Sequence, residues 1–102
     1  MALLAANAYA QPAAPKLDVP YGPTSFSTVD AMLRVAGVNA RDFVIDLGSG
    51  DGRMIITAAK KFGARGFGVD LDTYLLKMAN QNATKEGVTD RVNFVEQNLF
   101  ET

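Results

Sequence analysis

The 102-residue sequence contains neither cysteine nor histidine. Without cysteine there is no disulfide scaffold and no thiolate nucleophile; without histidine there is no imidazole base and no Ser-His pair. Losing both removes nearly all zinc sites as well. The missing cysteine is neutral as to redox compartment. Any chemistry must therefore rest on carboxylates, hydroxyls, amides, amines or a bound cofactor. An excess of either charge is also missing. Ten Lys plus Arg against eleven Asp plus Glu leave a net charge of −1, so nothing draws the chain toward a phosphate backbone and nucleic acid is not indicated as a partner. No apolar run reaches the roughly 20 residues of a membrane span. No internal repeat points to a collagen or a coiled coil, and 48% hydrophobic with 21% charged residues is the composition of a globular domain.

Proline is scarce and unevenly placed: all four lie between Gln11 and Pro23, which predicts an irregular, extended segment with the folded domain starting near Thr24. Ahead of it, Ala8-Tyr9-Ala10 before Gln11-Pro12 has the form of a small-residue cleavage site of a secretory leader. No Lys or Arg precedes Lys16, however, and the apolar stretch is short. Residues 1–23 therefore read either as the remnant of an export signal or as a disordered Ala/Pro tail, with residues 24–102 forming the domain. The export reading would place the chain in the periplasm or outside the cell.

From Ser25 or Ser27 onward, Phe26, Val29, Leu33 and Ala36 recur at helical steps. Asp30 stands three residues after Ser27 as in a capping box, and Gly37 ends the run. Phe43-Val44-Ile45-Asp46-Leu47 is a short apolar stretch bounded by turn residues, the pattern of a buried parallel strand. Arg53 to Phe62 predicts a helix closed by Gly63. Gly66 to Asp70 predicts a second strand, Asp72 caps a helix from Thr73 to about Glu86 ended by Gly87, and Val92 to Val95 predicts a third strand. On the third helix, Leu75, Met78 and Ala79 are expected in the core. Strands alternating with helices imply right-handed crossovers and an open parallel α/β sheet.

Chemistry concentrates where the first strand turns into a helix, in Asp46-Leu47-Gly48-Ser49-Gly50-Asp51-Gly52-Arg53. Glycines there let the main chain approach a ligand and let helix pack closely on strand. A dinucleotide turn, G-x-G-x-x-G, would need its third glycine at position 53, where Arg53 stands, so a nicotinamide-dependent reductase is disfavoured. The P-loop pattern is absent. Asp70 ends the next strand, 18 residues past Gly52, where a carboxylate can accept both hydroxyls of a ribose. The alternative for Asp70 is a solvated strand-end carboxylate, and for Asp72 capping is preferred. Gln97-Asn98 follows the third strand.

The D-x-G-x-G-x-G pattern, the acidic strand end and the polar pair after the third strand together resemble the class I S-adenosylmethionine-dependent methyltransferases over residues 42–101. The resemblance implies a Rossmann-like methyltransferase fold, present as its N-terminal half only: three parallel strands with flanking helices. It implies S-adenosylmethionine as cofactor, with S-adenosylhomocysteine as the corresponding product. By the same carry-over, Asp46 and Gly48 lie beside the methionine end, Gly50 and Gly52 give backbone room, and Ser49 between them is among the cofactor-binding residues. Asp70 takes the ribose and Asn98 the adenine, with their neighbours Leu71 and Leu99 also among the cofactor-binding residues. The family commonly has Gly-Asp where Gln97-Asn98 stands, so here an amide oxygen would accept from the adenine amino group. Val19-Pro20-Tyr21-Gly22-Pro23-Thr24 is similar to the segment before the domain in small lysine methyltransferases of the ATP synthase c-subunit type, although a proline-rich lead-in with Tyr21 packed on the domain explains it equally.

The expected activity is methyl transfer to an unidentified acceptor, protein lysine among the candidates, in the cytoplasm where the cofactor is expected. No catalytic base can be named from these residues. The rival reading is a non-catalytic half-domain that binds a nucleoside or pairs a strand with another chain. In either case the first strand lacks a partner on one edge, which predicts self-association through that edge. The carboxylates Asp46, Asp51, Asp70 and Asp72 are explained by strand-end and capping roles, without a metal. Lys60 and Lys61 read as helix-dipole partners on a solvated face, and the Asn82-Ala83-Thr84 sequon as accidental within a helix.

Overall fold

Glycine ends two of the three helices in the computed structural model, which describes residues 2–6 and 24–97. Helix α1 (Phe26–Val35) starts at Ser25, whose Oγ accepts from the Thr28 N–H at 3.2 Å. Ser25 rather than Ser27 is thus the cap, and Asp30 turns away from the backbone to pair with Arg34 at 2.7 Å. Helix α2 (Arg53–Phe62) closes on Gly63 and helix α3 (Thr73–Glu86) on Gly87, both left-handed as such a stop requires. Asp72 caps α3 by accepting from the N–H groups of Tyr74 and Leu75, at 2.9 and 3.3 Å.

Four parallel strands form one sheet in chain order: β1 (Ala2–Ala6), β2 (Phe43–Leu47), β3 (Arg65–Asp70) and β4 (Val92–Glu96). The last three are the strands expected from the sequence. The first corrects the expectation of a disordered tail, because Ala2–Ala6 pairs with Phe43–Leu47 residue for residue, along the edge expected to be open. The remainder of the lead-in, including Ala8 to Ala10 and Tyr21, lies outside the described residues.

The helices share one face of the sheet. Helix α2 packs on α1, α3 and the strands, and the core joins Val29 and Leu33 of α1, Val44 of β2, Ile55 of α2, Ala79 of α3 and Phe94 of β4. Along β2 the burial alternates: Val44 and Asp46 lie under the helices, while Phe43, Ile45 and Leu47 on the other face are less covered. Phe43 there meets Phe67 of β3, ring centroids 5.7 Å apart. The phase of α3 differs from expectation. Leu76, Ala79 and Ala83 are its buried residues, whereas Leu75 and Met78 are half-buried. Phe26 also departs from the expected core, 61% exposed on the first turn of α1. The lysine pair is engaged rather than simply solvated: Lys60 with Glu86, and Lys61 with Asp30 at 3.3 Å. No helix among the described residues is long and apolar enough to cross a membrane.

Candidate functional site

Parallel pairing sets β2 and β3 side by side, Asp46 opposite Gly68 and Leu47 opposite Val69, so both strands deliver their carboxyl ends to the same rim of the sheet. The turn out of β2 is built on that rim. Gly48, Gly50 and Gly52 all adopt left-handed φ, at 85°, 58° and 86°, alternating with residues that do not. Only glycine takes up such a path without strain, which is the physical content of the alternating motif. Gly52 is doubly constrained, since a Cβ there would stand 2.8 Å from the Phe94 ring. On the neighbouring strand, a Cβ on Gly68 would be 2.4 Å from the Cβ of Ser49, so the bare backbone of Gly68 is what lets the loop settle.

The loop is tied to β3 along its length. The N–H groups of Gly48 and Ser49 both donate to the Val69 carbonyl, at 2.7 and 2.9 Å. The Gly50 N–H donates to Asp70 Oδ2 at 2.8 Å, and Asp70 Oδ1 accepts from the Asp72 N–H at 2.9 Å. Each Asp70 oxygen keeps lone-pair capacity beyond these bonds, so the carboxylate is oriented yet still able to accept from a diol.

Asp46 and Ser49 are different in kind. Asp46 is completely buried with neither carboxylate oxygen hydrogen-bonded, and the buried Ser49 hydroxyl also has no partner. Burial, reinforced by the negative charge of Asp70, pushes the Asp46 carboxyl up to about 7. Orphaned buried acceptors are rare and costly in folded proteins. A ligand with a positively charged donor suits Asp46, and a ribose diol suits Asp70. The residues present therefore fit the methionine end and the sugar of S-adenosylmethionine.

Of the residues named from the sequence, the structure brings Asp46, Gly48, Ser49, Gly50, Gly52 and Asp70 to one rim, with Leu71 beside them and 59% exposed. Asn98 and Leu99 lie outside the described residues. Sequence reasoning missed the supports of the loop. Arg53 holds Asp51 through two hydrogen bonds to its carboxylate, at 3.0 and 2.7 Å, and Asn82 donates from Nδ2 to the Asp51 carbonyl at 3.0 Å. Burial alone would raise the Asp51 carboxyl, but the hydrogen bond and charge of Arg53 bring it below its usual value. The only sequence signal was Arg53 standing where a dinucleotide turn has glycine.

The ANTKMT methyltransferase domain family matches residues 46–102. A protein-lysine N-methyltransferase of Saccharolobus islandicus is 46% identical over 84 residues, which cover 81% of this chain and 52% of that protein. In Caenorhabditis elegans, the lysine N-methyltransferase of the ATP synthase c-subunit is 29% identical over 104 residues, covering 96% and 54%. An RNA methyltransferase of Salinibacter ruber, solved in complex with S-adenosyl-L-homocysteine, shares the fold with a TM-score of 0.76 and 48% identity, over 79% of this chain and 53% of that one. The chain spans about half the length of these relatives.

Proposed function

We propose, from the premise that the chain belongs to the ANTKMT methyltransferase domain family, that it is the S-adenosylmethionine-binding part of a methyltransferase acting on protein lysine. The observation that carries the cofactor reading is the Gly50–Asp70 bond beside the unpartnered Asp46, an oriented diol acceptor next to a buried carboxylate that lacks a cation. The relatives' methyltransferase names favour this reading over a non-catalytic half-domain.

When bound, the cofactor supplies a methyl group already activated on a sulfonium, so the protein's part is placement more than chemical assistance. Asp70 fixes the ribose, Asp46 offers its charge to the amino group of the methionine end, and the glycine turn lets the main chain approach. Asn98 is our assignment for the adenine contact, and Leu71 and Leu99 are further cofactor-binding residues. These residues make up the cofactor side of the proposed site.

Lysine is favoured over RNA as acceptor because the net charge of −1 gives no general attraction to a polyanion. The two lysine methyltransferases and the RNA methyltransferase among the relatives frame that choice. The cytoplasm, where the cofactor is made, is the compartment that goes with this reading.

Titration calorimetry of the chain with S-adenosylhomocysteine should give one site per chain. Binding of a nicotinamide dinucleotide instead would replace the reading. Residues 1–102 joined to the remaining half of the Saccharolobus protein, given methyl-labelled cofactor, should label a lysine peptide; label in RNA alone would overturn the acceptor assignment.

A further inference from the structure

We propose that Arg53 is a positioning residue for the cofactor loop, fastening the start of α1 to Asp51 so that the glycine turn keeps its ligand-ready shape only while α1 is seated. The inference rests on the cofactor reading above and extends it to a residue outside the motif's ligand contacts.

Three left-handed residues within five leave the loop many alternative paths, and something must select one. Of its two polar side chains, Ser49 makes no hydrogen bond, so Asp51 is the side-chain handle by which the turn can be held. Arg53 grips it as a fork, Nε to Oδ1 at 3.0 Å and Nη2 to Oδ2 at 2.7 Å, and its own N–H reaches Oδ1 at 3.2 Å. By itself that is a local pair of the kind worth little on a surface. The third guanidinium nitrogen changes its reach: Nη1 donates to the Thr24 carbonyl at 2.9 Å, 29 residues earlier, just before the N-cap of α1. The guanidinium carbon also sits 4.4 Å from the ring centroid of Phe26, within cation–π range.

This arrangement accounts for two otherwise unexplained features. Phe26 is an exposed aromatic on the first turn of a helix whose core contacts come from Val29 and Leu33; its ring face is the platform for Arg53. Arg53 and Asp51, though charged, have side chains only 17% and 19% exposed, so the fork is largely shielded from competing water and salt. All three nitrogens and the cation face are used at once. Lysine, a point charge on a flexible stem, cannot reproduce that geometry. Asn82 holds the carbonyl side of Asp51 from α3, leaving the Arg53 contacts as the link to α1.

The test is Arg53→Lys in the 102-residue chain, read by S-adenosylhomocysteine affinity and by amide hydrogen exchange. About tenfold weaker binding is expected, with faster exchange at Gly52, whose N–H bonds to the Ser49 carbonyl, and unchanged exchange at the core residue Val44. Phe26→Leu should weaken binding by a smaller factor and Phe26→Tyr, which keeps the ring face, should restore it. Unchanged affinity and unchanged Gly52 exchange in Arg53→Lys would overturn the inference, as would acceleration spread equally to Val44, which marks a general loss of stability. Failure of the wild-type chain to bind S-adenosylhomocysteine would instead overturn the cofactor reading and this inference with it.

Discussion

The Gly50 N–H donates to Asp70 Oδ2 at 2.8 Å, joining the middle of the β2–α2 turn to the end of β3 across 20 residues of sequence. One carboxylate therefore does two things on the rim of the sheet. It fixes the loop, and it keeps lone-pair capacity for the ribose proposed above.

Asp70→Ala is expected to weaken S-adenosylmethionine and S-adenosylhomocysteine by similar factors, since both carry the ribose assigned to this residue. Hydrogen bonds to a charged group contribute about 1.5–3 kcal/mol each, so a loss of tenfold or more is expected for each ligand. Calorimetry that found either affinity unchanged would remove Asp70 from the ribose site.

Close approach at the loop can be tested without ligand. Gly68→Ala places a methyl group 2.4 Å from Ser49 Cβ and 3.0 Å from the Phe94 ring, a contact that backbone shift alone must relieve. A loss of about 1–3 kcal/mol is expected in urea unfolding, typical of overpacking. Gly37→Ala meets nothing within 4 Å, so only its φ of 70° penalises it, and it serves as the milder comparison. Equal stability of the two variants would show that the loop is not seated against β3 as described.

Local chemistry made most of the fold legible. Gly63, Gly87 and Asp72 announced the ends of α2 and α3 because caps are set by side chains within a few residues of them. The strand Phe43–Leu47 announced itself by being apolar at every position but one. What escaped depends on distant partners. Ala2–Ala6 has no β-branched residue and pairs with a strand 41 residues later, which no local pattern encodes. Phe26 matched the helical spacing of Val29 and Leu33, yet its ring faces Arg53 instead of the core. On α3, Leu75 and Leu76 are adjacent and both match the helical spacing of Ala79 and Ala83, so packing rather than spacing decides that Leu76 is the buried one. Within the site, the glycines and Asp70 were legible because their residue types are required, whereas the hold of Arg53 and Asn82 on Asp51 required the third dimension.

The edge strand makes a prediction about association. With Ala2–Ala6 in place the outer edge of β2 is paired, so the self-association expected from an open Phe43–Leu47 edge should be suppressed. Removing residues 1–6 exposes that row of backbone donors and acceptors. Light scattering after size-exclusion chromatography should then show a larger share of dimer or higher species than for the full chain. An unchanged mass distribution would mean that β1 does not guard the edge.

Asp46 connects stability, pH and ligand binding. Its folded carboxyl is raised to about 7 from an ordinary value of 3.8, chiefly by burial and further by the charge of Asp70. Between those values the folded chain retains a proton that the unfolded chain has released, so stability from this group is full below about pH 4 and declines as pH rises to about 7. Urea unfolding at pH 5 and pH 8 should show the folded state weaker at pH 8. Asp46→Asn, which mimics the protonated form, should flatten that difference and be more stable than wild type at pH 8, on the order of a few kcal/mol at most. Ligand binding should oppose the trend. A cationic amino group beside Asp46 favours the carboxylate, so S-adenosylhomocysteine binding near pH 6 should release a proton and tighten as pH rises toward 7. Calorimetry in buffers of different ionisation enthalpy measures that release directly. Release in wild type that disappears in Asp46→Asn is the expected result; no release in wild type would place the ligand's amino group away from Asp46.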